Sequence, residues 1–185
     1  NYRFGTRASG DDQLLLKLGN RYGYETSIIQ PVKVGSEIVS STAIRTYIES
    51  GDIVKANEFL GRPFRIFGAV VRGNHIGSKI GFPTANIELS SNKVAPMNGV
   101  YFTRTSVDGS TYNSVSNIGT KPTIGDYEKS IETHIFGINE ELYGREIKVE
   151  FLKLHRPEVK FETVELLTER IADDVESARR FHGVK

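Results

Sequence analysis

Apolar positions follow two different rhythms along this chain. Up to Gly61 they recur at helical spacing in short runs, whereas from Phe64 onward they fall into brief β-branched and aromatic segments separated by turns. Leu14, Leu15, Leu18 and Tyr22 share one face of a helix predicted over 11–22, which opens on Asp11 and is followed by Gly23. Ser27-Ile28-Ile29 reads as a buried strand. Ser41 is placed to cap a helix over 42–50 that Gly51 ends, and Asp52 to cap another over 53–60 that Gly61 ends. The later rhythm predicts six strands, near 64–72, 84–89, 100–107, 112–117, 131–136 and 146–154, with Asp108-Gly109 as a tight hairpin turn. Thr163 then caps a helix whose Val164, Leu167, Ile171, Val175 and Ala178 form one apolar stripe, read as core packed across the sheet. Six short strands suggest a small closed sheet without exposed edges. Because the period changes at Gly61-Arg62-Pro63, the domain boundary is placed there, giving 1–61 and 62–185.

Composition narrows the class. Of the 185 residues 38% are hydrophobic and 25% charged, enough apolar material for a packed core. Twenty-four basic against 23 acidic residues leave a formal charge of +1, so there is no electrostatic case for nucleic acid or an anionic membrane surface, and any anion site must be local. The absence of cysteine removes disulfides, thiolate zinc sites and cysteine nucleophiles, and suits a cytoplasmic setting. No segment is apolar enough to span a bilayer or serve as a signal peptide. The first residue is Asn1 rather than Met, and the natural start is expected to lie upstream. Oligomeric state is not legible.

The densest candidate chemistry is Ile80-Gly81-Phe82-Pro83-Thr84-Ala85-Asn86. With Gly73 and Gly77 before it, Gly81 completes three glycines that let backbone N–H groups approach a ligand, as a phosphate cradle does. Pro83 fixes the chain, and in an extended segment Thr84 and Asn86 project to one side as oxygen ligands of the kind that suit Mg²⁺. The same residues also describe a turn entering a strand, and the pattern alone leaves both readings open. Val39-Ser40-Ser41-Thr42-Ala43-Ile44-Arg45 is similarly two-sided, serving either as a phosphate-binding helix start or as simple capping.

The run from Gly73 to Asn86 resembles the ATP- and flavin-binding segment of riboflavin kinases, especially the kinase module of bacterial bifunctional riboflavin kinase/FAD synthetases. The likeness extends over 64–181 through Asn117-Ile118-Gly119-Thr120-Lys121-Pro122-Thr123, Glu132-Thr133-His134-Ile135, Leu142-Tyr143-Gly144, Arg156 and Phe161. It implies a mainly β fold, a six-stranded antiparallel Greek-key barrel with a C-terminal helix. Ser41, Thr42 and Arg45 resemble the Ser-Ser-Thr-x-x-Arg motif near the end of the FMN adenylyltransferase module, and Asn1-Tyr2-Arg3-Phe4-Gly5 an earlier loop of it. Residues 1–61 are therefore expected to be an α/β remnant of that nucleotidyltransferase domain. The paired-histidine motif its other half needs does not occur in this sequence.

The resemblance implies ATP-dependent phosphorylation of riboflavin to FMN. Glu132 would take the proton of the ribityl 5′-hydroxyl, and Thr84 and Asn86 would help hold Mg²⁺ and the ATP phosphates. Gly73, Gly77, Lys79, Gly81 and Pro83 would form the loop over the nucleotide, while Phe82, Arg156 and Phe161 would contact the flavin. His134 shares a strand face with Glu132 and is read as supporting rather than as the base. His75, His155 and His182 lack paired metal-ligand spacing. One departure concerns the phosphates: the family places a basic residue directly after the glycine matching Gly77, where this chain has Ser78 and then Lys79. A flavin- or nucleotide-binding barrel without catalysis, or an interaction domain, are the alternatives.

Overall fold

A computed structural model describes residues 3–73, 77, 80–90, 93–120 and 129–184. Ser78 and Lys79, His75, and Lys121-Pro122-Thr123 lie outside the described residues. The chain divides into two compact units, 1–38 and 39–185.

In the first unit, α1 (Asp12–Tyr22) begins where Asp11 accepts a hydrogen bond from the Leu14 N–H and ends at Gly23 in the left-handed region. A two-residue-per-strand hairpin, β1 (Lys33–Val34) with β2 (Glu37–Ile38), follows. The strand expected at Ser27-Ile28-Ile29 does not form: Ile29 is 89% exposed, and Ile28 is exposed too. An apolar pair is not enough to make a strand, because a strand needs a partner for its backbone groups and none of the described residues pairs there.

The second unit opens with two capped helices. Ser40, one residue earlier than expected, caps α2 (Ser41–Glu49) by accepting from the Ala43 N–H. Asp52 caps α3 (Ile53–Leu60) by accepting from Lys55 N–H, and Gly61 ends it in the left-handed region. Asn57 on α3 then ties the helix to the sheet. Its Nδ2 donates to the Phe151 carbonyl at 2.9 Å, and its Oδ1 accepts from the Phe64 N–H at 2.7 Å.

Six antiparallel strands follow: β3 (Phe64–Ala69), β4 (Ala85–Leu89), β5 (Gly99–Val107), β6 (Ser110–Gly119), β7 (Lys129–Ile135) and β8 (Glu146–Pro157). They lie in the order β3-β8-β5-β6-β7-β4. β5, β6 and β7 run as consecutive neighbours while β8 returns beside β5, the Greek-key arrangement. Asp108 and Gly109 join β5 to β6 with φ of 47° and 84°, the two positive angles a tight primed hairpin turn requires. The edges of the sheet approach each other where Val71 N–H donates to the Asn86 carbonyl at 2.9 Å, making a nearly closed barrel.

Alternation along these strands separates two cores. Inward residues include Ile87, Tyr101, Ile118, Ile131, Val149 and Phe151. Among them runs a buried chain of hydroxyls, Thr105–Ser114–Thr103–Ser116–Thr133, each link 2.8 or 2.9 Å long. Every hydroxyl has a partner, which avoids the cost of roughly 1–3 kcal/mol for each buried polar group left unpaired. The outward residues Val100, Phe102, Val115 and Phe136 are covered by Val175 and Ala178 of α4 (Val164–His182), capped by Thr163. The stripe on this helix is only partly core. Val164 is exposed, and Leu167 and Ile171 are half-buried, because the helix's first turns border an open cavity instead of the sheet.

Candidate active site

The register of the barrel assembles the site. Antiparallel pairing sets Asn86 opposite Glu132, Glu132 opposite Asn117, Asn117 opposite Val100, and Val100 opposite Arg156. Directly opposed residues point to the same face, with Cβ atoms about 4.5–5.5 Å apart. One cross-strand row therefore runs over five strands from an amide, through a carboxylate and a second amide, to an arginine. Glu132, Asn117, Val100 and Arg156 all line a cavity of about 280 Å³ between the outer face of the sheet and α4. Its walls are otherwise largely apolar, with Phe82, Val115, Phe161, Leu167, Ile171 and Val175, which suits a flat aromatic ligand carrying a few polar groups.

Thr84 lies at the junction with a second cavity of about 350 Å³, which Pro83, Thr84, Ala85, Thr133, Glu140 and Tyr143 also line. Two ligands, one in each cavity, would meet at Thr84. Beside it Asn86 is 5% exposed and donates from Nδ2 to the Thr84 carbonyl and Oγ1, both at 3.4 Å, while its buried Oδ1 has no partner among the described residues. Gly73 makes this packing possible, since a Cβ there would lie 2.5 Å from the Asn86 Nδ2. The Gly77 carbonyl accepts from the Phe82 N–H at 2.7 Å, and Gly81 turns the chain at φ +86°. A Cβ on Gly77 would collide with the Phe82 carbonyl oxygen, so the three glycines are required by internal close approach and a turn.

His134, two residues beyond Glu132, lines the same cavity. Its Nδ1 lies 2.9 Å from the Pro83 carbonyl, which can only accept, so Nδ1 carries the proton. Phe82 packs edge-on against the imidazole at 5.7 Å. Burial pushes the His134 pKa below the ordinary imidazole value and favours the neutral ring.

Arg156 is held differently from a free ligand-binding arginine. Its Nε and Nη2 donate to the Asp174 carboxylate at 2.8 and 2.6 Å, and its Nη1 to the Pro157 carbonyl at 3.1 Å. The guanidinium carbon stands 6.0 Å from the Phe161 ring centroid. Asp174 comes from α4, and no sequence pattern singles it out: an acidic residue on an exposed-looking helix reads as solvated. Asn117 and Glu158, which also border the cavity, are likewise absent from the sequence-derived site, although Asn117 could have been placed opposite Glu132 by the strand pairing. Ser41, Thr42 and Arg45 are exposed on the first turns of α2 and line neither of the two cavities.

Among the described residues no group of three or more His, Cys, Asp and Glu side chains could hold a metal. No helix among them is long and apolar enough to cross a membrane.

Residues 60–182 match the riboflavin kinase family, Flavokinase. The chain is 36% identical over 182 residues to the bifunctional riboflavin kinase/FMN adenylyltransferase of Haemophilus influenzae, covering 98% of this chain and 59% of that protein. It is 40% identical over 185 residues to the protein of the same name from Bacillus subtilis, covering 97% and 56%. A solved structure from Streptococcus pneumoniae described as a macrolide-efflux protein shares 32% identity at a TM-score of 0.86, over 97% of this chain and 58% of that one. The chain thus spans less than two thirds of the length of these relatives. The family match over most of the barrel and its helix, and identities well above 30% across nearly the whole chain, show that it belongs to the riboflavin kinase family.

Proposed function

We propose that this chain transfers the γ-phosphoryl group of ATP to the 5′-hydroxyl of riboflavin, producing FMN and ADP. The reading is carried by the placement of Glu132 in an apolar-walled cavity that adjoins a second cavity at Thr84. Riboflavin occupies the first cavity, with its ring between the sheet and α4 and its ribityl chain directed to Glu132. ATP enters the second, which Pro83 and Thr84 line, with Gly73, Gly77 and Gly81 in the segment that precedes Pro83 and Gly77 itself bordering the first cavity, and Lys79 is assigned to the phosphates. As the ribityl oxygen bonds to the γ-phosphorus, its proton passes to the Glu132 carboxylate, and the bond from that phosphorus to the β–γ bridging oxygen breaks. Asn86 and Asn117 flank Glu132 in the row.

Mg²⁺ fits this site. The Asn86 Oδ1, which has no partner among the described residues, and the neighbouring Thr84 hydroxyl are hard oxygen donors, and Mg²⁺ bound with nucleotide takes only one or two protein ligands besides phosphates and water. Bound there, Mg²⁺ would neutralise phosphate charge. Phe82 and Phe161 contact the flavin, and His134 keeps the Pro83-Thr84 segment against the strand that carries Glu132.

Residues 62–185 are read as the kinase module and 1–61 as the C-terminal part of an FMN adenylyltransferase module, with Ser41, Thr42 and Arg45 belonging to the latter's nucleotide site. The longer protein then carries FMN on to FAD. Both reactions use soluble small molecules, consistent with a cytoplasmic enzyme needing neither nucleic acid nor membrane.

The decisive experiment is Glu132→Gln, which keeps the shape and removes the base. Turnover is expected to fall about 10²- to 10⁴-fold with riboflavin and ATP binding largely retained. A turnover number close to the parent's would reject Glu132 as the base.

A further inference from the structure

The Arg156–Asp174 contact depends on an irregularity in the sheet. Val100 pairs with Arg156 but Tyr101 pairs with Leu154, so His155 is an extra residue, a β-bulge. In a regular strand His155 and Arg156 would point to opposite faces. Here the bulge brings both to one carboxylate: His155 Nε2 lies 3.4 Å and Arg156 Nη2 2.6 Å from Asp174, and Arg170, one helical turn before Asp174, approaches at 3.7 Å. Asp174 is only 4% exposed. A buried carboxylate with three surrounding nitrogen groups, in the wall of the cavity and adjoining the row that contains Glu132, is more than a solvated helix residue.

The consequence lies in what remains of the guanidinium. Arg156 commits Nε–H and one N–H of Nη2 to Asp174 and one N–H of Nη1 to the Pro157 carbonyl, so three of its five N–H groups are held and the plane of the guanidinium is fixed where it lines the cavity. A guanidinium held in one plane can offer a ligand its flat face, which stacks on aromatic systems. We propose that Asp174 is a positioning residue for the flavin. By gripping the Arg156 fork it presents the guanidinium as a planar wall and fixes the spacing between α4 and the sheet into which the isoalloxazine ring slides.

This inference rests on reading the cavity as the riboflavin site, and its test keeps the two apart. Riboflavin binding is measured by quenching of flavin fluorescence without ATP, and steady-state kinetics are measured separately. Asp174→Asn can accept from one prong of the fork, but its amide N–H₂ opposes the other, so Arg156 loses its fixed orientation. The expected result is a rise of roughly tenfold in both the Kd and the KM for riboflavin, with kcat and the KM for ATP within about twofold, since only binding of this substrate is weakened. Asp174→Glu, which keeps the carboxylate, should recover part of the affinity.

A purely structural role would lower the melting temperature of Asp174→Asn and leave riboflavin affinity unchanged, and that outcome overturns the proposal. Should Asp174→Asn not fold, Arg156→Lys carries the test. It keeps the charge and loses the planar fork, so a higher Kd for riboflavin is expected, and unaltered riboflavin affinity overturns the proposal equally. Parent protein that binds riboflavin without forming FMN would reject the kinase reading yet leave the positioning role standing on the binding data. Parent protein that does not bind riboflavin at all would reject both.

Discussion

His134 links the strand of Glu132 to the Pro83 carbonyl through one imidazole proton, while Phe82 and Phe136 lie edge-on to its ring at 5.7 and 5.6 Å. A ring so enclosed resists protonation, and burial is also the leading cause that lowers the pKa of His155 and of His182. For His155 the Asp174 carboxylate pulls the other way and burial outweighs it; for His182 the carbonyl of Ser114, 3.2 Å from Nε2, does the same. The sign of the effect on stability follows. With folded-state values below the ordinary value of about 6.5, the unfolded chain binds more protons as pH falls, so stability is fully present above that value and declines below it. Melting temperature is therefore expected to fall between about pH 6.5 and pH 5, before carboxylates begin to titrate. Thermal scans across that interval check it, and a melting temperature that holds or rises on acidification would contradict the burial argument.

At the scale of elements, what the sequence made legible was whatever a local rule decides. The caps at Asp11, Asp52 and Thr163, the Asp108-Gly109 turn and the six-strand pattern each follow from residues adjacent in the chain, and each appears in the structure. What stayed hidden depends on partners distant in sequence. Ile28-Ile29 has strand composition and no ladder to join, the bulge at His155 shows only once β8 is set against β5, and Asp174 acquires a meaning only when α4 lies against the sheet. Of the candidate site, Thr84, Glu132, Arg156, Phe82 and Phe161 share one cavity, while Asn117 and Asp174 were beyond reach of local reading. Asn57 is a further long-range case, joining α3 to both β3 and β8. Replacing it by Ala leaves the Phe64 N–H and the Phe151 carbonyl without that partner. The expected loss is about 1–3 kcal/mol, read as a lower urea midpoint with an unchanged slope. A midpoint equal to the parent's would mean that water serves these groups as well as the side chain does.

Across the whole molecule the two cavities, the row of Glu132 and its supporting clamp all lie within the unit 39–185, as do Ser41, Thr42 and Arg45, which sit exposed on α2 and border neither cavity. Phosphoryl transfer asks mainly for positioning and charge stabilisation, and the barrel with its helix offers enclosed surfaces for both. Adenylyl transfer asks for the same from its own site. On the proposed reading Ser41, Thr42 and Arg45 form one wall of that site, and the paired histidines of the opposing wall are not among these 185 residues, whose four histidines are His75, His134, His155 and His182. A single wall leaves the α-phosphate of ATP and the phosphate of FMN unaligned, and misalignment of reacting groups removes most of what positioning contributes to rate. This polypeptide, supplied with riboflavin, ATP and Mg²⁺, is therefore expected to accumulate FMN and to stop there. Chromatography of the flavin products separates the possibilities: FAD formed by these residues alone would show that α2 belongs to a complete adenylyl-transfer site, and the absence of FMN would remove the kinase assignment.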